Sequence, residues 1–69
     1  MSLYRVTELI GTSAESWQDA AATAVRAASK RLRDLRVAEV VEQDLHIEAD
    51  GQITYRIKLR ISFKYEEDR

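Results

Sequence analysis

Sixty-nine residues of 7.9 kDa allow one small domain, residues 1–69, because a chain this short buries only about 60% of its unfolded surface and has no material for a second core. The composition is 45% hydrophobic, 33% charged and free of proline, too apolar for a disordered tail and too densely charged for a membrane span. Eleven Lys and Arg against twelve Asp and Glu leave a net charge of −1 and a pI of about 5.8, so the basic field that drives nucleic-acid binding is missing.

With no cysteine and His46 as the sole histidine, the chain has no disulfide, no thiolate and little to build acid–base catalysis from. The expectation is a protein that is not an enzyme and has neither nucleic acid nor membrane as partner. Met1-Ser2-Leu3-Tyr4-Arg5 lacks the basic and apolar regions of a signal peptide, which places the protein in the cytoplasm. A single core of this size rarely contributes more than about 3–5 kcal/mol without disulfides, metal or oligomerisation. Oligomerisation is the option this composition leaves open.

Leu3 to Ile10 is rich in β-branched and aromatic residues and stops at Gly11, which reads as a strand entering a turn. Thr12-Ser13-Ala14-Glu15 then fits a capping box, a hydroxyl three residues ahead of a glutamate, so a helix should begin near Ser13. Trp17, Ala21, Ala24, Ala28, Leu32 and Leu35 recur at helical spacing, widened by Val25, and form one apolar stripe over a helix of about 21 residues. Glu15 and Asp19 near its start and Lys30, Arg31 and Arg33 near its end complement the helix dipole. On this stripe Trp17 reads as a packing residue.

The period then changes to two. From Val37 to Ala49 the odd positions Val41, Leu45, Ile47 and Ala49 are apolar and the even ones Glu42, Asp44, His46 and Glu48 are polar, the pattern of a half-buried strand. Ile53 to Tyr65 alternates strictly, Ile57, Leu59 and Ile61 against Arg56, Lys58 and Arg60. A two-residue Asp50-Gly51 loop would set Glu48 against Ile53 and mix the faces, whereas a three-residue Ala49-Asp50-Gly51 loop sets Asp44 against Arg56, Glu42 against Lys58 and Leu45 against Tyr55. Strands of about 13 residues are roughly 44 Å long, more than one helix can cover, so the edges of the sheet call for partner chains.

The segment Glu8-Leu9-Ile10-Gly11-Thr12-Ser13, the alanine-rich helix, Arg36-Val37-Ala38-Glu39-Val40 and Ile61-Ser62-Phe63-Lys64 resemble dodecins over nearly the whole chain. The resemblance implies an α+β, β-α-β-β subunit, its three-stranded antiparallel sheet curled around one long helix, and a homododecamer forming a hollow shell. It also implies a small ligand at subunit contacts, mostly a flavin such as riboflavin or FMN and in some members coenzyme A. Carried over singly, the ligand positions are Val37, where flavin-binding members place a stacking tryptophan, Arg56, where they place a glutamine, and Lys64, which keeps a basic residue near a ligand phosphate. Flavin recognition is therefore expected to be weakened.

The Arg36-Val37 pair and the segment Glu42-Gln43-Asp44 are similar to the calcium dodecin branch of that family. Oxygen-rich clusters suit calcium, so Asp44, Glu42 and Glu48 are the candidate metal ligands. Cross-strand pairing with Arg56, Lys58 and Arg60 is the competing account of the same carboxylates. Glu66-Glu67-Asp68-Arg69 reads as a solubilising tail.

Overall fold

The computed structural model describes residues 3–64. The order of elements is β1 (Tyr4–Ser13), α1 (Trp17–Ser29), β2 (Leu35–Ile47) and β3 (Ile53–Lys64). They form a three-stranded antiparallel sheet in the order β1-β3-β2, with the helix against one face. Tyr65 and the tail 66–69, read above as strand end and solubilising segment, lie outside the described residues. No helix among the described residues is long and apolar enough to cross a membrane.

The last strand is the middle of the sheet. Its alternation puts Ile57, Leu59 and Ile61 on the helix side, where they meet Ala20, Ala24 and Ala28 to form the buried core. Leu9, Trp17, Ala21, Val25, Leu32, Leu35 and Phe63 pack around this cluster while partly exposed. Leu59 and Ile61 are the large side chains buried completely, and each contributes about 1.5–3 kcal/mol by leaving water. Alanines at a spacing of four add little area but let the helix axis come close to the strands.

The first strand does not stop at Gly11; it continues to Ser13, which pairs with Tyr55. Gly11 is buried against the helix rather than turning the chain: a Cβ added there would lie 2.9 Å from the Ala24 Cβ and closer still to the Ala20 carbonyl oxygen. The helix accordingly starts later than the capping pattern suggests and has 13 residues. Ser13 Oγ accepts from the backbone N–H groups of Glu15 and Ser16 at 2.8 and 3.4 Å and donates to Asp19 Oδ2 at 2.7 Å. Ser16 is the true N-cap, its Oγ accepting from the Asp19 N–H at 3.0 Å. At the other end Lys30 caps the helix and Asp34, at φ 57°, turns the chain into β2. Lys30, Arg31 and Arg33 therefore follow the helix, and Arg26 is the basic residue of its last turn.

The hairpin has the register set by its side-chain parity. Asp44 faces Arg56, Glu42 faces Lys58, and Leu45 faces Tyr55. Glu48 closes the three-residue loop, donating to the Gln52 carbonyl at 2.8 Å and accepting from the Gly51 N–H at 2.9 Å, with Gly51 at φ 89°.

The second strand departs from its expected half-burial. Leu35 is partly covered and the rest of the strand is exposed. Register shifts between Leu35 and Val37 and between Val40 and Glu42 exchange its faces, so Ala38 and Val40 share the helix side with Ile61 and Leu59 while Val37 and Glu39 lie on the far side. The helix leans over β1 and β3 and leaves an open gap of about 270 Å³ beside β2, lined by Val25, Leu35, Arg36, Val37, Ala38 and Ile61. The resulting shape is long, 54 × 20 × 16 Å with a radius of gyration of 14.4 Å, against about 11 Å for a compact domain of this length.

The close seating of the helix on β1 makes Gly11→Ala an overpacking substitution. It is expected to lower unfolding stability by about 1–3 kcal/mol in thermal or urea melts. An unchanged melt would mean that the helix does not press on that strand.

Candidate functional site

Strand pleating directs every second residue of the sheet away from the helix, so charge collects on the outer face, where three cations on β3 meet carboxylates on both neighbours. Arg56 holds Asp44 with a fork, Nε donating to Oδ1 at 2.8 Å and Nη2 to Oδ2 at 3.1 Å. Lys58 Nζ is 3.9 Å from Glu42 Oε1. Arg60 reaches in both directions, 3.1 Å to Glu8 Oε2 on β1 and 3.7 Å to Glu39 Oε1 on β2.

The Arg60 bridge across three strands is not evident from the hairpin alone, although Glu8, Glu39 and Arg60 share the outer face. Its signal was there in the parity of Glu8 and Arg60, but needed the β1–β3 register, which no turn connects. Around these pairs Val6, Ile10 and Val37 are each 58% exposed, so the outer face mixes neutralised charge with bare apolar side chains.

Trp17 helps to hold the hairpin. Its indole N–H donates to the Asp44 carbonyl at 3.2 Å, and its ring meets Tyr55 edge-on at 5.3 Å between centroids. The tryptophan packs partly buried against the core, as its place on the helical stripe suggests. Asp44 is therefore gripped through its main chain by the helix start and through its side chain by β3.

Val37, Arg56 and Lys64 all lie on the outer face, but not together. Val37 pairs with Ser62 and Lys64 with Tyr4, placing Arg56 six residues along β3 from the Val37 level and eight from Lys64. At about 3.4 Å per residue these are spans of roughly 20 and 27 Å. Within one chain no small ligand can touch all three.

The carboxylates are equally dispersed. Asp44 is taken by Arg56, Glu42 is near Lys58, and Glu48 Oε2 accepts from Thr54 Oγ1 at 3.2 Å and lies 3.5 Å from His46 Nε2. Among the described residues no three His, Asp or Glu side chains converge as metal ligands, whereas calcium takes six to eight oxygens. The ladder of the single chain does not fit a calcium ion.

A dodecin family model matches residues 3–66. The chain belongs to the dodecin family. It is 55% identical over 64 residues to the calcium dodecin of Mycobacterium tuberculosis, covering 93% of this chain and 90% of that protein. The crystal structure of that calcium-chelating antigen, which has a calcium-binding site, matches with a TM-score of 0.89 at 50% identity over 99% of this chain and 97% of that one. The dodecin of Streptomyces coelicolor matches with a TM-score of 0.90 at 40% identity over 97% and 96% of the two chains. The β-α-β-β architecture of this dodecin thus agrees with that of solved relatives.

The Arg56 fork, and secondarily its charge, holds the Asp44 carboxyl below the ordinary aspartate range, and the same hydrogen bonds raise the Arg56 guanidinium above its usual value. A carboxyl lowered on folding stabilises above its unfolded pKa, about 3.9, and that contribution is lost as pH falls through the lowered folded value. Wild type is therefore expected to melt slightly higher than Asp44→Asn at neutral pH, with the two curves converging in acid and in high salt. A difference that persists in acid would show that something other than the ion pair is at work.

Proposed function

We propose that this dodecin is a non-enzymatic subunit of a hollow homododecameric shell that binds or stores a small ligand at subunit contacts, and that its hold on flavins such as riboflavin or FMN is weak. One observation carries the reading: β2 is a 13-residue edge strand without a buried residue. An isolated chain would leave in water its open backbone edge together with Val37, Val40, Leu45 and Ile47, the last 71% exposed. Long apolar edges of this kind are normally covered. The dispersal of Val37, Arg56 and Lys64 supports the same reading, since a ligand that meets them has to sit where copies of the chain meet. Native mass measurement is expected to give about twelve subunits per particle, and a stable folded monomer would sink the proposal.

The weak hold on flavin follows from side-chain chemistry. Val37 offers no π-face to an isoalloxazine ring, and Arg56 has donors but no acceptor for its edge, while Lys64 retains a positive charge for a phosphate. Stacking on an aromatic side chain is worth about 1–3 kcal/mol per base, a comparable scale for this ring, so its loss costs about 5-fold to 150-fold in affinity. Riboflavin quenching is expected to be weak for wild type and to strengthen by about that factor in Val37→Trp. Tight quenching by wild type, unchanged in the variant, would refute the assignment of the site.

The relationship to calcium dodecin favours a second reading, a shell that binds calcium instead of flavin. Because the ladder of one subunit does not fit the ion, such a site has to draw carboxylates from several subunits, with Glu42, Asp44 and Glu48 as the candidates.

A further inference from the structure

We infer that Arg56, helped by Lys58, is a tethered counter-cation that closes the carboxylates of β2 to free divalent ions, so that in this chain Asp44 is satisfied from within and does not serve as a calcium ligand. The inference bears on the second reading above, and it rests on the mismatch between that reading and the geometry of the hairpin.

Both Asp44 oxygens are engaged by one guanidinium, at 2.8 and 3.1 Å, in the planar fork that matches a carboxylate and that a lysine cannot reproduce. The register leaves the fork little freedom. Asp44 and Arg56 are directly opposed, and the Trp17 indole fixes the Asp44 carbonyl at 3.2 Å. A calcium ion at Asp44 would have to displace a charge that is covalently part of the same hairpin and therefore present at high effective concentration. Two residues along, Lys58 stands 3.9 Å from Glu42, a looser contact by a single point charge. The two pairs predict different strengths of closure, strong at Asp44 and weak at Glu42.

The residue at position 56 thus acts on two ligands at once. Arginine removes the acceptor that an amide would present to a ring edge, and it supplies the cation that Asp44 would otherwise take from solution. One side chain disfavours both flavin and calcium on this part of the sheet.

Calcium titrations by calorimetry, with melting curves in calcium, magnesium and chelator, test this on wild type, Asp44→Asn, Arg56→Gln, Lys58→Gln and the double variant Arg56→Gln/Asp44→Asn. Native mass on each sample checks that its assembly matches wild type. Arg56→Lys serves as a second probe should the glutamine variant fail to fold, because it keeps the charge and loses the fork.

Wild type and Asp44→Asn are expected to respond to calcium identically, whether that response is large or nil. Arg56→Gln should bind calcium about tenfold more tightly than wild type, a gain of about 1.4 kcal/mol, and the double variant should lose the gain. Arg56→Lys should fall between the two, and Lys58→Gln, which makes the same change in net charge, should gain less. The inference is overturned if Asp44→Asn alone abolishes a wild-type calcium response, if Arg56→Gln gains nothing, or if Lys58→Gln gains as much. A wild type that ignores calcium defeats the second reading but leaves the comparison between wild type and Arg56→Gln to decide the role of Arg56.

Discussion

The burial of Leu59 and Ile61 is the constraint on which the rest of the molecule depends. Both lie on a central strand whose backbone is paired on its two sides by β1 and β2, and both face a helix ridge of alanines. The helix must come close for such small side chains to cover them, and it can do so because β1 carries glycine where the two backbones approach. Coverage obtained this way is narrow. It extends over β3 and β1 and leaves β2 to be stabilised by hydrogen bonds, cross-strand ion pairs and whatever packs on it from outside.

That narrowness explains which features could be read from the residues. Strict alternation along 53–65, with glycine at the end of a three-residue loop, determines the hairpin register, since a one-residue slip would exchange every buried isoleucine for a charge. The pairs Asp44–Arg56 and Glu42–Lys58 follow from it without reference to any other part of the chain. The helix boundaries did not follow in the same way. Ser13 looks like a cap because a hydroxyl stands three residues ahead of Glu15, but pairing with Tyr55 keeps it in the sheet and passes the capping role to Ser16. Gly11 looks like a turn because its packing partner, Ala20 on the helix, lies nine residues away and only tertiary structure brings it there.

The candidate site was legible as residue types and not as a place. Parity assigned Arg56, Lys64, Glu42, Asp44 and Glu48 to one face, and they lie on it. The face of Val37 could not be deduced from parity, because the register shifts beside it invert the alternation of β2 and no simple pattern in the residues marks a bulge. The distances along β3 are the new information. They spread the candidate ligand residues too widely for a single chain, while Asp44 and Glu48 are already hydrogen-bonded and Glu42 has Lys58 nearby. Membership of the dodecin family accounts for the architecture, whereas the proposed weakening of flavin recognition rests on the side chains of Val37 and Arg56 alone.

If the helix covers only β1 and β3 and the proposed shell covers β2, folding and assembly must be linked, and the link has a signature in mass action. Urea unfolding followed by Trp17 fluorescence over a wide range of protein concentrations tests this directly, with sedimentation run in parallel at the same urea concentrations. The midpoint is expected to rise with protein concentration, and loss of the assembled particle is expected to coincide with loss of the Trp17 signal. A midpoint independent of concentration, with a folded subunit persisting after the particle has dissociated, would contradict this linkage.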